Sequence, residues 1–187
     1  MKAIIDKIIS PIRDFIFGKK QKKVAPVKSL GESAVKLANF LSSETIVIHE
    51  GAIDKKSCIR LLSEKLCAAY GIDDLDGVVG AIMNREKLES TFLDNEVAIP
   101  HARYEGVSEI KAVLGIFPGG VIEEESEKLP ANFVFLFLSP VNALTQHLQL
   151  LTRIAFVFQD ALVKSSLLKI KSTEDIHKLL KEKEGMV

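Results

Sequence analysis

A run of six apolar residues, at positions 133–138, is the feature that most constrains the fold of this chain. A strand with one solvated face alternates apolar and polar residues, whereas this run is apolar at every position. It therefore predicts a central strand that is covered on both faces. Shorter β-prone runs at 45–49 and 112–117, the second of which ends at Pro118, alternate with helical patterns. This alternation favours an α/β (α+β) fold with a mixed β-sheet between helices on both faces.

Helical periodicity predicts the layers that cover the sheet, and the first predicted helix runs from Ser33 to about Leu41. Asp54 is the predicted N-cap of one helix, and Asp73 or Asp74 is the predicted N-cap of the next, which ends near Arg85. A proline at position 140 stops the central strand and begins a helix over about residues 143–157. Two further helices, at 161–168 and 173–180, complete the predicted fold. The Lys and Glu residues that close the chain are predicted to be solvated.

Length and composition indicate one globular domain with an appendage. The chain has 187 residues, of which 47% are hydrophobic and 27% are charged, as in an ordinary globular protein. No apolar run approaches the length of about 18 residues that a transmembrane helix needs. The N-terminus lacks the features of a signal peptide, so we expect a cytoplasmic location. Cys58 and Cys67, nine residues apart in one predicted helix, are too distant for a disulfide.

The first 28 residues differ from the rest in charge. They carry a net charge of +6, and the remainder carries −6, which does not suggest nucleic-acid binding. Residues 2–17 place isoleucines at helical spacing, followed by a lysine-rich run to residue 23. Three interpretations stay open: contact of residues 2–23 with an anionic membrane surface, partner binding or self-association through them, or a helix folded back on its own domain or left as a mobile arm. We expect residues 1–28 to form an extension and linker, and residues 34–187 to form the main domain.

His101 is the candidate for chemistry. It follows Pro100 at the end of the β-prone segment VAIPHAR, residues 97–103. Proline fixes its own φ and keeps Ile99 extended, so His101 is expected at a rigid strand-to-loop corner. One nitrogen of an imidazole there can act as a nucleophile while a hydrogen bond holds the other. From the residues alone, a neutral packing or surface histidine is the competing interpretation.

The VAIPHAR segment, with the pairs at 85–86 and 90–91 before it, resembles the signature of the fructose/mannitol-type enzyme IIA domains of the bacterial phosphotransferase system. The nitrogen-regulatory phosphocarriers belong to the same family. The resemblance continues through the central strand and the segment QHLQLL at 146–151, and it covers roughly residues 34–187.

The resemblance implies roles for individual residues. His101 is the implied phosphoryl acceptor, Arg85 the cation that stabilises the phosphoryl oxygens, and His147 a second imidazole that donates a hydrogen bond to the phosphoryl group. Ser90 and Thr91 are candidates for supporting hydroxyls. The resemblance implies neither a cofactor nor a metal ion.

The implied partners are the phosphocarrier HPr as donor and either a cysteine of a IIB component or a regulatory target as acceptor. Phosphoenolpyruvate is the implied ultimate source of the phosphoryl group. Neither cysteine of this chain lies in a phosphate loop of the IIB kind, and no IIC membrane region is present, so we expect a free-standing IIA unit. A sugar-uptake relay and a nitrogen-regulatory carrier both remain open.

One departure from the family pattern keeps an alternative open. Between residues 91 and 97 the family favours glycines, whereas this chain carries Asp94 and Glu96. Carboxylates turned towards a phosphoryl group would oppose its negative charge. The alternative function is therefore a phosphorylation-incompetent, EIIA-like protein-binding module. A metal site on His101 and His147 is a weaker alternative, since no third ligand has a clear spacing.

Overall fold

The computed structural model describes residues 35–93, 95–123 and 129–185. The N-terminal extension predicted at residues 1–28 lies outside the described residues, as does Asp94. Within the described ranges, the chain folds into a mixed sheet with helices on both faces, as the sequence predicts.

In the residues that the structure describes, the sheet has six strands. The bounds of the strands are β1 Ile46–Ile48, β2 Ile53–Asp54, β3 Val97–Ala98, β4 His101–Arg103, β5 Lys111–Ile122 and β6 Ala131–Ser139.

Strands β5 and β6 form the centre of the sheet and pair antiparallel. Both β1 and β2 pair parallel with the outer side of β5, and both β3 and β4 pair parallel with the outer side of β6. The predicted central strand is thus confirmed as β6, which is buried along nearly its whole length.

Five α-helices cover the sheet in the part of the chain that the structure describes. They are α1 Lys55–Tyr70, α2 Leu75–Leu88, α3 Leu144–Val157, α4 Ala161–Leu167 and α5 Thr173–Gly185.

Local chemistry defines the ends of the first two helices. Asp54 accepts a hydrogen bond from the Ser57 N–H at the start of α1, and Asp74 accepts one from the Gly77 N–H at the start of α2. Gly71 closes α1 at a φ of 64°, a left-handed conformation that glycine adopts without a Cβ clash. The predicted caps at Asp54 and Asp74 are therefore confirmed.

The core has two halves, one on each face of the sheet. The odd-numbered apolar residues of β6, such as Phe133 and Phe137, pack with α3, α4 and α5. The even-numbered ones, such as Val134 and Leu136, pack with α1 and α2. This division follows from the two-residue period of a strand, and it explains why a run without polar residues forms β6.

Two predictions about local structure are wrong. The helix expected from residue 33 to residue 41 is a short 3-10 helix, Leu37–Phe40, in the described residues. The strand expected to stop at Pro118 continues as β5 to Ile122, with an irregularity that Gly120 accommodates at a φ of 81°. Proline is tolerated there because the register with β6 is broken between Ile116 and Val121.

The end of the chain is also less exposed than predicted. Glu184, in the last turn of α5, is 2% exposed and forms an ion pair with Arg153 of α3, with 2.8 Å between Nε and Oε1. Its two carboxylate oxygens also accept hydrogen bonds from the N–H groups of Leu37 and Ala38. This carboxylate therefore ties the last helix to α3 and to the 3-10 helix. In the described residues, no helix combines the length and apolar character needed to cross a membrane.

Candidate active site

The chain path at Pro100 positions His101. Pro100 has no N–H for the strand ladder and separates β3 from β4. Pairing with β6 resumes at once, because the Phe137 N–H donates to the Pro100 carbonyl and His101 lies opposite Phe137 in the register. The loop that the sequence predicts after Pro100 is therefore wrong, and His101 begins a short strand.

A backbone carbonyl fixes the tautomer of His101. Its Nδ1 lies 2.7 Å from the Ile99 carbonyl oxygen. A carbonyl oxygen accepts and never donates, so Nδ1 of the neutral ring carries the hydrogen. Nε2 consequently has a free lone pair, which is the form of imidazole that attacks an electrophile.

Three aromatic rings meet at the site. The His101 ring stacks on Phe137, with 5.3 Å between centroids and 15° between the planes. The His147 ring meets His101 edge-on, with 5.0 Å between centroids, and lies 5.1 Å from Phe137. His147 stands in the first turn of α3, close to the carboxyl ends of β4 and β6. The structure thus brings together the two histidines that are 46 residues apart in the sequence.

Both imidazoles are held neutral. Burial, followed by the proximity of His147 and Arg85, lowers the pKa of His101 to about 3, although the Ile99 carbonyl opposes the shift. Burial, followed by the charges of Arg103 and Arg85, lowers the pKa of His147 to about 4. At neutral pH the His101 ring therefore needs no base to remove a proton before it attacks.

The site should make the protein sensitive to mild acid. An unfolded histidine titrates near pH 6.5, whereas His101 and His147 stay neutral in the folded chain down to pH values of about 3 and about 4. The unfolded chain therefore binds more protons below pH 6.5, and the stability that is complete above that pH is lost as the pH falls. Between pH 7 and pH 5 the free energy of unfolding should decrease by up to about 2 kcal/mol for each imidazole.

Urea unfolding followed by circular dichroism at several pH values measures this loss. The variant His147→Gln, which removes one of the two titrating rings, should show roughly half the decrease. An equal free energy of unfolding at pH 5 and pH 7 in the unsubstituted protein would contradict the assignment of two neutral buried rings.

Two arginines supply positive charge. Arg85, in the last turn of α2, is half-buried, and its Nη1 donates to the Glu89 carbonyl at 2.9 Å. Its charge acts on both His101 and His147. Arg103, which sequence reasoning did not assign to the site, acts on His147. A signal for Arg103 exists in the sequence: it lies two residues after His101 in a strand and therefore on the same face.

The two predicted hydroxyls have other partners. Thr91 is buried, and both its N–H and its hydroxyl donate to the carboxylate of Glu86. The Ser90 hydroxyl accepts hydrogen bonds from the Lys55 ammonium and from the Phe92 N–H, each at 3.2 Å. Lys55 in turn forms an ion pair with Glu86, with 2.7 Å between Nζ and Oε2. This network holds the segment after α2 in place, and a contribution of Ser90 and Thr91 to phosphoryl binding stays a prediction.

Glu96, one of the two acidic residues that depart from the family pattern, lies away from the imidazoles. Its carboxylate forms an ion pair with Lys164, with 2.8 Å between Nζ and Oε2, and Lys164 also donates to the Asn95 carbonyl. Val97 lies opposite Phe133 and His101 opposite Phe137, which separates the start of β3 from His101 by about 13 Å along the sheet. Glu96 therefore does not oppose charge at His101.

A metal centre at the two histidines has no structural support. In residues 35–93, 95–123 and 129–185, no group of three or more His, Cys, Asp or Glu side chains is arranged to hold a metal ion. The chemistry that the described residues offer is instead that of a neutral imidazole nucleophile, a second neutral imidazole and two guanidinium groups.

The solved structures that are similar to this chain include IIA proteins. The chain is similar to the nitrogen regulatory protein IIA-Ntr from Neisseria meningitidis, with a TM-score of 0.68 and 27% identity, covering 76% of this chain and 97% of that one. It is also similar to enzyme IIA in the complex of enzyme IIAMTL and phosphorylated enzyme IIBMTL from Escherichia coli, with a TM-score of 0.64 and 27% identity, covering 76% of this chain and 97% of that one.

A comparison of the sequence with family models identifies the family of the chain. A family model described as "Phosphoenolpyruvate-dependent sugar phosphotransferase system, EIIA 2" matches residues 39–183, and the chain belongs to this family. A relative with a different organisation is the PTS system fructose-specific EIIABC component of Bacillus subtilis, 28% identical over 142 residues, which are 76% of this chain. The chain spans 22% of the length of that relative.

Proposed function

We propose that this protein is a phosphoryl carrier of the phosphoenolpyruvate-dependent phosphotransferase system, with the Nε2 atom of His101 as the phosphoryl acceptor. The observation that carries the proposal is the hydrogen bond from Nδ1 of His101 to the Ile99 carbonyl, because it leaves Nε2 unprotonated. We assign this function to residues 34–187 and a cytoplasmic location to the protein.

The transfer step requires no proton from the protein. A bond forms between Nε2 of His101 and the phosphorus atom, and the bond from phosphorus to the donor breaks, with its electron pair leaving on the donor. The Nδ1 hydrogen stays on the ring, held by the Ile99 carbonyl. Return transfer to an acceptor follows the same path in reverse, which suits a carrier.

The neighbouring residues stabilise the transferred group. A phosphoryl group carries about −1.5 to −2 charges near neutral pH. Arg85 is the cation assigned to its oxygens, because its charge already reaches both imidazoles. His147 donates a hydrogen bond to the same oxygens. The residues His101 and His147 are 6% and 7% exposed, which limits the access of water to a labile phosphohistidine.

Exposed apolar side chains that are near the site residues in the sequence support the assignment of protein partners. Apolar side chains in the segments that carry the site residues are exposed: Leu88 is 72% exposed, Val141 49% and Leu144 36%. Exposed apolar residues beside a reactive group suit transient docking of another protein. We assign an HPr-like phosphocarrier as the donor. The acceptor is a IIB component, as in the Escherichia coli complex, or a target protein that reads the phosphorylation state, as the similarity to IIA-Ntr suggests.

Reconstitution tests the proposal. The protein is mixed with phosphoenolpyruvate, enzyme I and HPr, and its mass is followed together with the NMR signals of its histidines. The expected result is one added phosphoryl group that is lost in acid, with the phosphorus bonded to Nε2 of His101. Omission of HPr should prevent the reaction. Absence of the adduct when the same HPr phosphorylates a known IIA protein would overturn the proposal and favour the protein-binding module.

A further inference from the structure

Ser139 is a buried polar residue that the mechanism above does not use. It is the last residue of β6, is 0% exposed and lies opposite Arg103 in the register. Its carbonyl accepts the Tyr104 N–H at 2.9 Å, which fixes its backbone. Its hydroxyl oxygen lies 2.7 Å from Nδ1 of His147. The strand thus presents a rigid hydroxyl to the second imidazole of the site.

The number of available protons determines the direction of this hydrogen bond. A buried hydroxyl hydrogen without an acceptor costs free energy, so the arrangement that gives it an acceptor is favoured. Nδ1 of His147 is the hydrogen-bond partner of the Ser139 hydroxyl, and the described residues supply no other. If Nδ1 carried the hydrogen, the serine hydrogen would be buried without an acceptor. The serine therefore donates, Nδ1 accepts, and Nε2 of the neutral His147 ring carries the hydrogen.

We propose that Ser139 is a positioning residue that fixes His147 as the Nε2–H tautomer, so that this ring offers a donor to a phosphoryl group on His101. The inference rests on the proposed function for the identity of the group that receives the hydrogen bond. The assignment of the tautomer itself rests on the geometry of Ser139 and His147 alone.

The two rings then have opposite tautomers for two different reasons. A carbonyl that can only accept holds the hydrogen on Nδ1 of His101 and leaves a lone pair at Nε2. A hydroxyl that must donate removes the hydrogen from Nδ1 of His147 and places it on Nε2. A lone pair on the second ring would repel phosphoryl oxygens, whereas an N–H attracts them. The Ser139 hydroxyl selects the attractive form.

The variant Ser139→Ala tests the role, with Ser139→Thr as the conservative rescue. Two quantities are measured: the tautomer of His147 from its ring ¹⁵N shifts in the unphosphorylated protein, and the initial rate of phosphoryl uptake from phosphorylated HPr. The unsubstituted protein should show the Nε2–H form. Ser139→Ala should show a mixture that includes Nδ1–H, with uptake slower on the order of tenfold. Ser139→Thr should restore both readouts.

A matched control is available on the other face of the sheet. Ser63 is also 0% exposed, and its hydroxyl has no hydrogen-bond partner among the described residues. Ser63→Ala removes a buried hydroxyl without touching either imidazole, so both readouts should stay unchanged.

Three results would overturn the inference: an Nδ1–H tautomer in the unsubstituted protein, an unchanged tautomer in Ser139→Ala, or a changed tautomer with an unchanged rate. Failure of the proposed function has a different signature. In that case the unsubstituted protein takes up no phosphoryl group, while the ¹⁵N shifts still report whether Ser139 sets the tautomer.

Discussion

Replacement of His101 with alanine is expected to abolish phosphoryl uptake, with a decrease on the order of 10³-fold or more. The reason is that the variant lacks the nitrogen that bonds to phosphorus. The second ring does not substitute, because Ser139 holds its Nδ1 and its Nε2 carries a hydrogen. The measurement is the initial rate of adduct formation with phosphoenolpyruvate, enzyme I and HPr, followed by mass spectrometry.

Three variants make this result specific. His101→Gln has a side chain of similar size and should be equally inactive, which separates loss of the nucleophile from loss of packing against Phe137. His147→Ala should retain slow uptake, reduced on the order of 100-fold, since it loses one hydrogen-bond donor rather than the acceptor. His49→Ala removes a histidine whose ring contacts Phe117 instead, and should react like the unsubstituted protein. An adduct of undiminished yield in His101→Ala would refute the assignment.

The second large effect concerns stability. Glu184→Gln is expected to reduce the free energy of unfolding by about 3–5 kcal/mol, because it leaves the buried guanidinium of Arg153 without a counter-charge. The glutamine also places an NH₂ group where a carboxylate oxygen accepts the N–H of Leu37 or Ala38. A donor that faces a donor in the core leaves both without a partner. Chemical denaturation followed by circular dichroism measures the change.

Glu182→Gln is the matched control, because Glu182 stands in the same helix and is exposed. It should change the free energy of unfolding by less than about 0.5 kcal/mol. Equal midpoints for the two variants would show that the Glu184 carboxylate contributes no more than a surface charge.

The central strand could be predicted from the sequence because its signal is local. A run without polar residues has no solvated face, so β6 had to lie between two layers, and the caps at Asp54 and Asp74 depend on residues three positions apart. Glu184 shows the limit of this reasoning. It follows Ile176 and Leu180 at intervals of four residues and so lies on the buried face of α5. Its charge nevertheless led to the prediction that the side chain is exposed to solvent.

The main residues of the site could be predicted from the sequence, whereas the hydrogen-bond partners of the site residues could not. The resemblance to the IIA family placed His101, His147 and Arg85 in one site, and the structure brings the two imidazoles together. The contact between Ser139 and His147 was not predicted, because it depends on how the first turn of α3 lies against the carboxyl end of β6. Thr91 was expected at the phosphoryl group, yet its hydroxyl donates to Glu86. Neither the packing of a helix against the end of a strand nor the hydrogen-bond partner of a buried hydroxyl can be obtained from one sequence.

The acceptor that holds Nδ1 of His101 belongs to the main chain. Every amino acid at position 99 presents the same carbonyl oxygen, so exchange of the Ile99 side chain alters the packing of the core but keeps the reactive nitrogen free. The protonation state of the ring is determined instead by the path of the backbone through Pro100, which places the Ile99 carbonyl at Nδ1. A protein arranged in this way can diversify the residues around its reactive centre, and with them the proteins it meets, while its chemistry stays the same.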